Sequence, residues 1–199
     1  MTGVQRRAQL VEVGRTLFAE RGPDGASVEE IAARAGVSKP VVYEHFGGKE
    51  ALYAEVVSRE VEHLLLTFTG ALTGGSARVL LEQATGALLT YVEEHADGFR
   101  ILSRESPVTG QSSFATILSD VAVRVEHLLA SEFAHRGFPT RLAGLYSQAL
   151  VGQVALVGQW WATHGELDRG EVAAHLVNLA WNGLSHLEVD PVLRTAPLA

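Results

Sequence analysis

The sequence predicts an all-α fold of about nine helices. Three observations predict it. Apolar residues recur at spacings of three and four along nearly the whole chain, the period of one helix face. No two stretches alternate apolar and polar residues as paired strands do. Glycine and proline cluster at intervals and cut the pattern into helix-sized lengths.

The first helix is predicted from about Gln5 to Arg21, where Leu10, Val13, Leu17 and Phe18 form one stripe. Gly22-Pro23-Asp24-Gly25 is turn chemistry that stops it. A second helix begins at Ser27, which forms a capping box with Glu30. It ends near Ala35-Gly36. A third takes Ser38 as N-cap and Pro40 in its first turn, where a missing N–H costs little, and runs to about His45. Gly47-Gly48 ends it. A long helix follows from about Lys49 to Leu72, stopped by Thr73-Gly74-Gly75. Ser76 caps the next, to about His95, and a short one covers Asp97 to Arg104. Ser106-Pro107-Val108-Thr109-Gly110 reads as a loop. The last three helices are expected at about Ser113 to Arg136, Thr140 to His164 and Asp168 to Leu187. The final twelve residues, with Pro191 and Pro197, are expected to fray.

Composition excludes several classes. Cysteine is absent from the 199 residues, which removes disulfides, thiolate metal sites and cysteine nucleophiles and suits a reducing cytoplasm. A 47% hydrophobic content rules out a disordered chain. The stretch after Arg6-Arg7 contains Glu12 and Arg15, which a signal-peptide core does not carry. Net charge is −7, so the bulk composition does not announce a nucleic-acid binder. The charge is uneven, however. Residues 1–50 are neutral overall and hold both lysines, Lys39 and Lys49; the excess acid lies beyond them. The first quarter is the one stretch that does not repel a polyanion.

Residues 27–49 carry the chemistry. Two short helices joined by Ala35-Gly36-Val37 have helix-turn-helix spacing, with glycine where the chain turns sharply. Ile31, Ala32, Val37, Val42 and Phe46 are expected to pack against Leu17 and Phe18. That leaves Ser38, Lys39, Pro40, Val41 and Tyr43 on the outer face of the third helix. Hydroxyls, an ammonium and small apolar groups suit phosphates and thymine methyls. The spacing alone also suits a plain helical hairpin.

The string from Ser27 to Leu52 goes further. Its Ile31-Ala32, Ala35-Gly36-Val37-Ser38, Tyr43-Glu44-His45-Phe46 and Lys49-Glu50-Ala51-Leu52 elements resemble, in order and spacing, the DNA-binding signature of the tetracycline-repressor (TetR) family. The resemblance covers about residues 5–55. It implies an N-terminal helix-turn-helix DNA-binding domain, residues 1–48, and a C-terminal effector-binding and dimerisation domain, residues 49–199. Ser27 and Lys49 are then implied to bond phosphates. Ser38, Lys39, Pro40 and Val41 face the major groove, and Tyr43 and His45 reach the backbone or groove edge. Val42 and Phe46 are implied to be core. Glu44 and Gly47-Gly48 depart from the family's more basic pattern and weaken nonspecific attraction. The expected partner is duplex DNA with a near-palindromic operator, half-sites about one helical turn or a multiple apart. The implied activity is transcriptional regulation, most simply repression, and neither catalytic residues nor a cofactor is expected.

Residues 142–163 carry no charged side chain, long enough to span a bilayer. Gln148, Gln153 and Gln159 interrupt them and basic flanks are missing, so a buried helix is expected and no membrane partner. Val172 to Leu187 carry no Asp, Glu, Lys or Arg either. Two such helices per chain suit a homodimer across a two-fold axis. The resemblance also implies a cavity for a small hydrophobic or aromatic effector, with Tyr91, Phe99, Phe114, Gln153 and Trp160 as its candidate residues. Trp160 and Trp161, being adjacent, must face different ways.

The rival expectation is a helical metal enzyme. Glu60-x-x-His63 and Glu132-x-x-His135 repeat the spacing of di-iron bundles. Glu82, Glu93 and Glu94 are available as further carboxylates, though such pairs also arise on ordinary helix surfaces.

Overall fold

The computed structural model describes residues 1–104 and 113–192 and places nine α-helices and one 3-10 turn among them. They are α1 (Gly3–Gly25), α2 (Val28–Ala35), α3 (Lys39–Phe46), α4 (Lys49–Ala71), α5 (Ala77–Glu94), α6 (Ala96–Leu102), α7 (Ser113–Arg136), α8 (Ala143–His164) and α9 (Arg169–Ser185). The fold is all-helical, as the periodicity predicts. The expected loop at 106–110 and Pro197 lie outside the described residues.

Several boundaries shift for identifiable reasons. Thr2 starts α1 earlier than expected, through a full capping box with Gln5. The Gly22 stop is a kink rather than a loop: Gly22 has φ 74°, and one more helical turn follows it. Pro139 and Thr140–Leu142 form a separate 3-10 turn ahead of α8, so the helix expected from Thr140 begins at Ala143. Asp168 lies just outside α9 as its N-cap and accepts from the N–H groups of Gly170 and Glu171.

The chain divides into two compact units. One comprises residues 1–73 and 87–117, the other 74–86 and 118–199. In the first, Leu10, Leu17, Phe18, Ile31, Val42, Leu52 and Val56 are buried together, joined by Ile101. Gly14 lets α1 lie close on α4, because a Cβ there would stand 3.1 Å from Leu52 Cδ2. The Phe18 ring meets Tyr53 edge-on at 5.1 Å. Arg104, just past α6, donates to the carbonyls of Phe18 and Ala19 at 2.9 and 3.0 Å. At Ala19 it supplies the donor that Pro23, four residues on and without an N–H, cannot.

In the second unit Phe133, Phe138 and Ala143 form a core against which Tyr146 and Leu129 pack. Trp161 is buried and its indole N–H donates to the Leu167 carbonyl at 2.9 Å. Its neighbour Trp160 faces outward, 47% exposed, and stacks on His164. The two indoles part as helix geometry requires. Among the described residues no helix is long and apolar enough to cross a membrane.

Candidate nucleic-acid interface

The site is built from three helix ends in the first unit. Ser27 caps α2 and accepts from the Glu30 N–H at 3.2 Å. Only half of the expected capping box forms. The Glu30 carboxylate is drawn instead to Arg21 at 2.9 Å and Arg34 at 3.5 Å. Gly36 then takes φ 66° and returns its N–H to the end of α2. That left-handed step, cheap only for glycine, sets the angle between α2 and α3.

α3 shows the predicted sidedness. Val42 is fully buried and Phe46 packs partly against the same core. Ser38, Lys39, Pro40 and Tyr43 are exposed, Tyr43 by 53%, and Val41 and His45 are half-buried. Ser38 stands at the N-cap position but makes no side-chain cap bond, so its hydroxyl is not committed to its own helix. An exposed tyrosine on a short helix is uncommon for packing and suits contact.

A shallow cleft gathers Ser27, Tyr43 and Lys49, with Glu29, Glu50 and the backbone of Gly47-Gly48 on its walls. It lies at the N-terminus of α2, whose positive dipole end favours an anion, although Ser27 already takes the Glu30 N–H and Glu29 and Glu50 bring two carboxylates to the walls. Lys49 Nζ crosses it to the Ala26 carbonyl at 3.1 Å. Ser27 and Lys49, implied to bond phosphate, and Tyr43, implied to reach the backbone or groove edge, therefore share one concavity.

Sequence reasoning missed two partners. Lys39 is ion-paired with Glu29 of α2. The Lys39 ammonium beside it, reinforced by a backbone hydrogen bond, holds the Glu29 carboxyl below the usual carboxylate value. Arg7 of α1 donates to the His45 carbonyl at 2.6 Å. No local signal marks either, since the partners stand ten and thirty-eight residues apart. Most of the arginines of residues 1–50, and Lys39, are ion-paired, Arg7 with a carboxylate beyond residue 50. Arg7 meets Glu55, Arg15 meets Glu12, Arg21 meets Glu30, Arg34 meets Glu20, and Lys39 meets Glu29.

The residues expected to line an effector cavity fall in different units. Tyr91, Phe99 and Phe114 are buried in the first. Phe99 and Phe114 meet edge-on at 5.1 Å, and the Tyr91 hydroxyl donates to Glu60 Oε2 at 2.8 Å. Gln153 and Trp160 belong to the second unit, where Gln153 Nε2 donates to the Leu176 carbonyl.

Glu60 and His63 do not form a metal pair. Glu60 is 7% exposed and holds Tyr91, while the His63 ring lies 4.0 Å from that of His95. Glu132 and His135 are both exposed. Among the described residues no group of three or more His, Asp or Glu is arranged to hold a metal ion.

The comparisons with known proteins agree with this geometry. Residues 10–56 match the family described as bacterial regulatory proteins, tetR family. Residues 78–183 match the tetracyclin repressor-like C-terminal domain. The transcriptional activator FasR of Mycolicibacterium smegmatis is 30% identical over 92% of this chain and 84% of its own. The repressor KstR2 of Rhodococcus jostii is 30% identical over 64% of this chain and 53% of its own. A TetR-like transcriptional regulator from Rhodococcus sp. RHA1 superposes with a TM-score of 0.73 at 27% identity, covering 92% of this chain and 97% of that one. These relatives are regulators rather than enzymes, and with two family matches spanning most of the sequence the chain belongs to the TetR family of transcriptional regulators.

Proposed function

We propose that the chain is a ligand-responsive repressor that grips a near-palindromic operator as a homodimer and is released by a small hydrophobic or aromatic effector. The observation that carries the DNA-reading part is the exposed face of α3, with Ser38, Lys39, Pro40 and Tyr43 outward beside the Ser27–Lys49 cleft. In this reading Ser38, Lys39, Pro40 and Val41 face the major groove. Ser27, Tyr43, His45 and Lys49 meet the phosphate backbone or groove edge. Residues 1–48 act as the DNA-reading domain and 49–199 as the sensing and dimerising one, at work in the cytoplasm.

The dimer is supported by α8 and α9. Leu145, Leu156 and Trp160 on α8 and Leu179 on α9 are exposed on helices that carry almost no charge. Apolar faces of that kind need cover. Two-fold pairing would supply it and would double the reading helix. For the effector, Tyr91, Phe99 and Phe114 supply buried aromatic surface with one polar tip. Effector binding would shift the population between two dimer states by moving α4. A near-complete switch needs about 5 kcal/mol of differential affinity.

A second reading, activation, has a specific observation behind it: FasR, matched over 92% of this chain, is named an activator. One experiment addresses both. A duplex library is enriched on the purified protein, and the recovered site is placed upstream of and then within a reporter promoter. Lower reporter output on expression of the protein supports repression, and higher output supports activation. Failure to enrich any sequence would overturn the DNA-reading assignment itself.

A further inference from the structure

We propose that Arg7 fixes the orientation of α3 as an internal clamp and is a positioning residue, not a phosphate contact. The inference deepens the reading of α3 as the DNA-reading helix and rests on it.

One guanidinium makes three different contacts. Its Nη1 donates to the His45 carbonyl at 2.6 Å. Its Nη2 pairs with Glu55 Oε2 of α4 at 3.1 Å. Its Cζ lies over the Phe46 ring, 4.2 Å from the centroid. Glu55 is itself held by Arg59 at 2.8 Å, so the second leg ends on a fixed group. Arg7 thus ties the last turn of α3 to α1 and α4 at once.

The chemistry of α3 explains why a cation is needed there. The helix has eight residues. Its last carbonyls have no intrahelical donors and carry the negative dipole end. A helix this short takes its direction from whatever holds its two ends. The first end carries only the exposed Glu29–Lys39 pair, which is weak, whereas Arg7 holds His45 and Phe46 at the other. A planar fork can donate twice and stack at once, whereas a lysine ammonium cannot. A guanidinium committed in this way is not free to turn to a phosphate without giving up the carbonyl, the carboxylate and the ring.

The two roles differ in salt dependence. A phosphate contact adds about one unit to the slope of log affinity against log salt, and a positioning residue adds none. The test uses the full-length protein with two probes, a duplex it has enriched from a random library and a shuffled duplex of the same length. Arg7→Gln should weaken binding to the enriched duplex by about tenfold, the worth of one charge-assisted hydrogen bond. Its binding to the shuffled duplex and its salt slope should match the wild type. Arg7→Lys should show the same loss, because charge alone does not restore the fork. Equal losses on both duplexes, a shallower slope and rescue by Arg7→Lys would overturn the proposal. Glu55→Gln keeps Arg7 and cuts only the α4 leg, so it decides the matter if Arg7→Gln fails to fold. A loss confined to the enriched duplex supports the clamp. A steeper slope with tighter binding to both duplexes would show a freed Arg7 reaching phosphate, and would overturn it. If the wild type enriches no sequence, the DNA-reading assignment of α3 fails first, and that outcome is distinct from any Arg7 result.

Discussion

The ammonium of Lys49 donates to the carbonyl of Ala26 at 3.1 Å, tying the first residue of α4 to the residue that precedes the α2 cap. Movement of α4 therefore pulls on the start of the helix-turn-helix through a hydrogen bond as well as through core packing. Lys49→Met keeps the apolar stem and removes the donor. It should cost about 1 kcal/mol of stability, measured by urea unfolding. It should also weaken binding to every duplex alike, because phosphates carry no sequence information. Normal unfolding together with a changed base preference would place Lys49 in the groove instead.

Lys39 and Glu29 set up a competition. The ion pair is exposed, so it holds Lys39 weakly, and in the proposed reading DNA breaks it to take the ammonium. Glu29→Gln should raise affinity for all duplexes by a factor of about two to five. Lys39→Ala should change the preferred base at one position of each half-site, with about tenfold loss there. Anisotropy against a panel of single-base variants reads both. A uniform loss for Lys39→Ala would mean that it touches only phosphate.

Gly98 is a packing requirement. A Cβ at that position would stand 1.9 Å from Glu60 Oε2 and 2.7 Å from the Tyr91 hydroxyl, so the buried pair leaves no room for one. Gly98→Ala should destabilise the protein by about 1–3 kcal/mol. Tyr91→Phe should cost a similar amount, about 1–3 kcal/mol, because it takes the hydroxyl donor from a buried carboxylate and leaves only the Arg15 guanidinium at 3.9 Å. If both variants unfold at the wild-type midpoint, the pair is not buried as described.

The neighbouring imidazoles predict a pH dependence. Burial, and then the proximity of His63, hold His95 below its ordinary value; Glu60 and Glu94 pull the other way, and Arg15 adds to the lowering. The folded state binds the proton less readily than the unfolded chain. The His95 contribution is therefore complete above about pH 6.5 and is lost as pH falls below it. Thermal midpoints between pH 8 and 5 should drop more steeply for the wild type than for His95→Gln. Parallel curves would remove His95 from the account.

The exposed leucines of α8 and α9 test the dimer. Leu156→Glu or Leu179→Glu places a charge on the face proposed to pair. Sedimentation should show dissociation to monomer with helix content unchanged, and operator affinity should fall because one half-site is lost. A dimer that survives both substitutions would put the interface elsewhere.

What was legible in the sequence was local. The Ser27 cap, the glycine turn at Gly36, the burial of Val42 and the exposure of Lys39 and Tyr43 each follow from residues within one or two turns. What was not legible depends on how helices cross. Arg104 reaches Phe18 and Ala19 from more than eighty residues away. Arg7 finds His45 across thirty-eight. Spacing offered Glu60 and His63 as a metal pair, but their partners are Tyr91 of α5 and His95, the N-cap of α6, whose positions no pattern in α4 discloses. The capping box at Ser27 formed by half because Arg21 and Arg34 compete for Glu30. Tyr91, Phe99 and Phe114 illustrate a further limit, since a buried aromatic reads the same in one dimension whether it meets a ligand or only its neighbours.

The most direct test is an anisotropy titration of the purified protein against the duplex it enriches, with excess shuffled competitor, beside Tyr43→Ala. Tyr43 is exposed, packs into no core and lines the Ser27–Lys49 cleft, so its removal should leave the fold intact. The account predicts tight, competitor-resistant binding by the wild type and a loss of about tenfold or more in the variant. Equal binding by the two proteins, with equal sensitivity to competitor, would contradict it.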